Sequence, residues 1–144
     1  ELRQQNAYPY SLFDAQLQLR LHQAFATASS AQADFPASNV VDGKASTLWQ
    51  AAQLGAAQWL MVDFGHQKTI TSVNIHESGD LIDQYKLEYF LADKWYELEL
   101  GNSVGSDKTI SFNEISTRRI RFSIVSLTNP NSQNKVDIAS ITAS

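Results

Sequence analysis

The stretch from Asn39 to Trp49, NVVDGKASTLW, is polar, turn-rich and ends on an indole. It is followed by Trp59 to Gly65, WLMVDFG, a run that alternates and then stops on glycine. Within that run Leu60, Val62 and Phe64 share one face, while Trp59, Met61 and Asp63 share the other. A period of two over a short segment closed by glycine is the signature of a strand buried on one side. The same pattern recurs downstream. Strands are predicted over 70–75, 84–91, 95–100, 109–112, 119–124 and 136–142. The 119–124 segment is the clearest, with Ile120, Phe122 and Ile124 inward and Arg119, Arg121 and Ser123 outward. In 70–75, strict alternation sets Ile70, Ser72 and Asn74 against Thr71, Val73 and Ile75. Short strands punctuated by Gly, Asn and Ser turns predict an all-β sandwich of jelly-roll type. Pro36 to Val41 allows a single helical turn, with Asp34 placed to cap it.

Upstream the character changes. Residues 1–20 carry glutamines and Tyr8-Pro9-Tyr10 but no glycine, and Leu17, Leu19 and Leu21 alternate with polar neighbours. They are read as a linker or docked N-terminal extension, with an added edge strand as the alternative. Residues 21–144 form the single folded domain.

The chain has 144 residues, a formal net charge of -4 and no cysteine. That composition excludes a thiol nucleophile, a disulfide framework and a cysteine zinc site. An acidic domain with scattered bases is a poor partner for a phosphate backbone, so nucleic acid is not expected. The only basic cluster is Arg118, Arg119 and Arg121, read as the solvent face of a strand. The apolar runs are too short to span a bilayer as helices.

Taken together, NVVDGKASTLW and WLMVDFG resemble the N-terminal half of a galactose-binding-like β-sandwich. This is the fold of carbohydrate-binding module family 32 and of the coagulation-factor type C (discoidin) domains. The similarity runs from about Leu21 to Ile141. HESGDLIDQYKLEYF, residues 76–90, resembles the type C domain appended to α-fucosidases. The resemblance implies a secreted, extracellular or periplasmic module, monomeric, fused to a glycoside hydrolase or polysaccharide lyase. Its partner would be a glycan containing fucose, galactose or a uronate.

The resemblance also implies a structural calcium or sodium ion in the 39–47 loop. Asp42 and Thr47 would offer side-chain oxygens, and Asn39, Lys44, Thr47 and Ala139 carbonyls. Hard cations take such oxygen sets. A glutamate usual in the family is Ser140 here, which leaves one carboxylate and weakens the expected affinity. The alternative is that Asp42-Gly43 is a plain turn. The family places the tryptophan after the threonine beneath this loop, so Trp49 is read as core, and Trp59 and Trp95 as strand residues.

Sugars need a flat apolar face and planar polar groups that bond hydroxyls. Loops held by a rigid frame supply the candidates. These are Phe35 in the first loop, His76, Glu77 and Asp80 after the second predicted strand, and Asn131 and Asn134 in the amide-rich 128–135 loop. Phe35 is either a stacking ring or a side chain folded beside Trp49. Many galactose-binding members carry an arginine where this chain has Leu81, so a bidentate donor is missing.

No GxSxG elbow, HExxH pair or phosphate-cradling glycine loop is present. The sequence therefore predicts a non-catalytic glycan binder. The alternative is a discoidin-type adhesion domain that grips a protein or membrane through apolar loop spikes, for which Leu48, Leu54 and Leu81 are candidates, although burial is expected for them.

Overall fold

The computed structural model describes residues 23–144. The predicted extension 1–20 and its suggested edge strand lie outside the described residues. The described residues form a β-sandwich of seven strands: β1 (Phe25–Ala28), β2 (Trp49–Gln50), β3 (Trp59–Glu77), β4 (Ile82–Leu91), β5 (Lys94–Asn102), β6 (Lys108–Leu127) and β7 (Asp137–Ala143). A 3-10 turn, Ala37–Val41, follows β1. Pro36 stands at its N-cap with no side-chain capping bond, so the expected Asp34 cap does not form.

All pairings are antiparallel. The alternating run that begins at Trp59 and the predicted strand 70–75 are one strand of 19 residues, and 109–112 and 119–124 are one of 20. Each long strand serves both layers. The first half of β3 pairs with β1 and with the second half of β6. Its second half pairs with the first half of β6 and with β7. β4 and β5 extend the first layer, and β2 extends the second. The crossing between layers falls where the β3–β6 register breaks, between Asp63 and Lys68. Gly65, at φ 82°, supplies the left-handed backbone that the crossing needs.

A second break, between Ile70 and Ser72, shifts the side-chain phase by one residue. Ile70, Val73 and Ile75 are consequently all buried, where strict alternation had put Ile70 opposite the other two. The core fills from both layers: Leu60, Val62, Ile120 and Phe122 face Val73, Ile75, Ile138 and Ile141. Trp49 is fully buried, and its Nε1 donates to the Ser30 carbonyl at 2.8 Å. That bond satisfies the ring's one polar atom, so the indole is core, as expected. Truncating it to Ala would cost about 3–5 kcal/mol.

The outward face of the first layer carries an ionic lattice. Asp63 is 1% exposed although its strand position points away from the core. It accepts from Gly65 N–H at 2.8 Å, Arg119 Nε at 2.9 Å and Arg118 Nε at 3.1 Å. Burial alone would raise its pKa, but these donors outweigh it and hold the carboxyl below the usual carboxylate value. One row along, Arg121 donates from Nε and Nη2 to Glu88, and its guanidinium lies 4.2 Å from the Trp95 ring centre. The three arginines line the outward face, as expected, and are ion-paired there.

Candidate functional site

At one end of the sandwich the loops 29–36, 51–58, 78–81 and 128–136 converge. Backbone bonds tie them together: Gln50 N donates to Phe35 O, Gln32 N to Gln50 O, Ala51 N to Val136 O and Thr128 N to Leu81 O. Two adjoining hollows open here. One, of about 230 Å³, is lined by Gln50, Gly79, Leu81, Asn134, Lys135 and Asp137. The other, of about 310 Å³, is lined by Gln32, Ala33, Asp34, Phe35 and Gln50. Gln50 is their shared wall, and its Nε2 donates to Asp137 Oδ1 at 2.8 Å.

The hollows have the chemistry that hydroxyl-rich ligands need. Amides from Gln32, Gln50 and Asn134 carry donors and acceptors together. The Asn134 backbone is held by Ser132 Oγ at 3.1 Å, and its side-chain amide has no partner among the described residues. Phe35 is 38% exposed and presents an apolar ring at the edge. It lines the wall of the second hollow.

The residues singled out by sequence are dispersed. Phe35 and Asn134 line the two hollows. Asp80 and Asn131 are exposed on flanking turns and line neither. Asn131 N donates to Asn129 Oδ1 at 3.1 Å, a local turn bond. Glu77 points into the protein. It is 2% exposed, and its oxygens accept from Leu81 N–H at 2.7 Å, Ile82 N–H at 3.2 Å and Gly105 N–H at 3.3 Å. Burial raises its pKa against those three bonds. It anchors the loop that carries Gly79 and Leu81. His76, its neighbour on β3, points the opposite way, as successive strand residues do. It lines a separate hollow of about 280 Å³ with Gly43, Lys44, Ala45 and Ala139. Its Nε2 lies 3.8 Å from Asp107 Oδ1. Gln50 and Asp137 are the site residues that sequence reading missed. They sit in a two-residue strand and at a strand start, 87 positions apart, with no local signal.

The 39–47 loop is closed by its own bonds. Lys44 N donates to Asp42 Oδ1 at 2.9 Å, and Thr47 Oγ1 donates to Asp42 Oδ2 at 2.6 Å. These bonds, that of Thr47 foremost, hold the Asp42 carboxyl below its usual value. Asn39 Nδ2 donates to Leu48 O at 2.8 Å. Gly43 takes a φ of 76° at the turn. Ala139 and Ser140 border the same hollow as Gly43 and Lys44. The loop gathers one carboxylate with neutral oxygens, a donor set suited to a weakly held hard cation. Among the described residues no group of three or more His, Asp or Glu side chains forms a candidate metal cluster.

The fold is shared with solved carbohydrate-active proteins. Chitosan-binding module 1 from a chitosanase/glucanase of Paenibacillus sp. IK-5 is 22% identical, with a TM-score of 0.76 over 85% of this chain and 96% of that one. The family 32 carbohydrate-binding module from C. perfringens NanJ, solved in complex with galactose, is 21% identical, with a TM-score of 0.74 over 85% and 94%. A Ruminococcus gnavus GH29 fucosidase, solved in complex with fucose, is 21% identical, with a TM-score of 0.72 over 83% of this chain. This chain spans about a quarter of that fucosidase's length. No curated protein matches the sequence. The family model of the F5/8 type C domain matches residues 25–141.

Proposed function

The chain belongs to the F5/8 type C domain family, and from that premise we propose that it is a non-catalytic module that binds a glycan in the two hollows walled by Gln50. The observation that carries this reading is an exposed ring, Phe35, beside amide groups in two adjoining hollows, where the Asn134 side chain has no partner among the described residues. Similar solved structures include a chitosan-binding module and complexes with galactose and with fucose, all hydroxyl-rich ligands that such a surface suits. Among the described residues nothing in the hollows pairs an activated nucleophile with a base.

In this reading the module belongs to a larger secreted enzyme, a glycoside hydrolase or polysaccharide lyase. It raises the effective concentration of the attached active site on a polymer, so weak binding is sufficient. The 39–47 loop holds a calcium or sodium ion loosely. The bonds from Thr47 and Lys44 to Asp42 keep the loop closed without strong metal affinity. A second reading, adhesion to a protein or membrane surface, draws on Leu54, which is 45% exposed in the 51–58 loop instead of tucked in.

A glycan array followed by affinity electrophoresis tests the first reading. Phe35→Ala and Gln50→Ala should each weaken retention by the best glycan about tenfold or more, the loss expected when a stacking face or a paired hydrogen bond disappears. A silent array together with liposome retention that disappears in Leu54→Ser would establish adhesion in its place.

A further inference from the structure

We propose that the outward face of the first layer holds a second glycan subsite, specific for an acidic sugar and built from Arg118, Arg119 and Phe25. It lies at the opposite end of the sandwich from the hollows around Gln50, beside the layer crossing. Successive strand residues normally point to opposite faces. Here the register break puts both arginines on one carboxylate. Thr117 fixes the irregularity, since its Oγ1 donates to Phe90 O at 2.7 Å and accepts from Arg119 N at 3.2 Å.

Both arginines reach Asp63 through Nε, and among the described residues the Nη donors of each fork have no hydrogen-bond partner. Two guanidiniums share one carboxylate, so the cluster keeps a positive charge of one. Arg121, by contrast, has both Nε and Nη2 engaged on Glu88, which Lys86 Nζ also approaches at 3.7 Å, so its fork is occupied. Arg118 and Arg119 remain 49% and 39% exposed, while Asp63 beneath them is sealed. Arg119 is further steadied 5.4 Å from the Phe90 ring centre. The forks are therefore pre-oriented, the condition under which Arg binds carboxylate or sulfate bidentately.

Phe25 completes the subsite. It pairs with Asp63 across β1–β3, Asp63 pairs with Arg119 across β3–β6, and the Phe25 ring is 47% exposed. Two strand spacings, about 10 Å, separate the Phe25 and Arg119 backbones, and Arg119 reaches over β3 toward Phe25 to meet Asp63. An aromatic plane beside a cationic fork accommodates a sugar's C–H face and its acidic substituent together. The surrounding protein carries a net charge of -4, so an acidic polymer is repelled except where positive charge is focused. The proposal takes its class of ligand from the glycan-binding reading but uses none of the same residues.

Affinity electrophoresis at neutral pH and low salt, in gels containing polygalacturonate, a sulfated galactan or a neutral galactan, tests it. Wild type should be retarded by at least one acidic polymer, and the stronger of the two identifies carboxylate or sulfate as the group recognised. Arg119→Gln should weaken that retardation about tenfold and Phe25→Ala several-fold, with Phe35→Ala leaving it unchanged. Should Arg119→Gln fail to fold, Arg118→Gln carries the same expectation. Absence of retardation by both acidic polymers overturns the subsite, even where neutral galactan or another array glycan is held at the Gln50 hollows. An equal loss on Lys86→Gln, a cation elsewhere on the same face, also overturns it, since charge alone would then account for binding.

Discussion

Two buried carboxylates sit at opposite ends of this sandwich and are held in opposite ways. Asp63, at the layer crossing, meets two guanidiniums and one N–H, and its pKa is lowered. Glu77, beneath the loops, meets three backbone N–H groups and no cation, and its pKa is raised. Full charges outweigh desolvation at the first, and peptide dipoles alone do not at the second. The crossing is thus clamped by charge, and the loop end is organised by neutral bonds that a ligand can rearrange at lower cost.

The contrast breaks most visibly under truncation. Asp63→Ala strips the partner from two arginines, and urea unfolding should show a loss of about 3 kcal/mol, typical of a broken buried pair. Glu77→Ala leaves the Leu81, Ile82 and Gly105 N–H groups without their acceptor but strands no charge. It should cost less, about 2 kcal/mol, with faster amide exchange at Leu81, Ile82 and Gly105. A larger loss for Glu77→Ala than for Asp63→Ala would reverse the ranking of the two ends.

Acid sharpens the same contrast. Asp63 contributes stability that is fully present above its ordinary value of 3.8 and fades as pH falls through its lowered folded value. Glu77 behaves inversely, because the folded state favours its protonated form. Its contribution is largest below 4.5 and shrinks as pH rises from there through the raised folded value. Unfolding free energies measured from pH 3 to 7 should therefore lose their decline above 4.5 in Glu77→Gln. In Asp63→Asn they should lose part of the steep fall below 3.8. The smallest effect belongs to the 39–47 loop. One millimolar calcium acting on a site of millimolar affinity would add about 0.4 kcal/mol, a shift of one or two degrees in Tm between calcium and chelator.

The frame was legible because side-chain phase is local information. The 119–124 strand was readable from six residues, and its inward and outward sets stand as expected. Phase slips were not readable. Nothing in Ile70-Thr71-Ser72 announces a bulge, and Gly65 reads as a stop when it is a bend inside a longer strand. Partnerships across the chain were hidden for the same reason. Asp63 finds Arg118 and Arg119 more than fifty positions later, and Gln50 finds Asp137 after 87. Glu77 shows the reverse limit. Its loop position suggested an outward carboxylate, but the strand continues through it and turns it inward.

Because β3 and β6 each run through both layers, neither layer is a separable unit. A chain emerging from the ribosome has no complete sheet to close until Leu127 is available, and β3 keeps an open edge until β7 arrives. Such long-range closure makes folding slow and late. An N-terminal half released alone, by truncation or protease, would carry bare strand edges ready to pair with other copies.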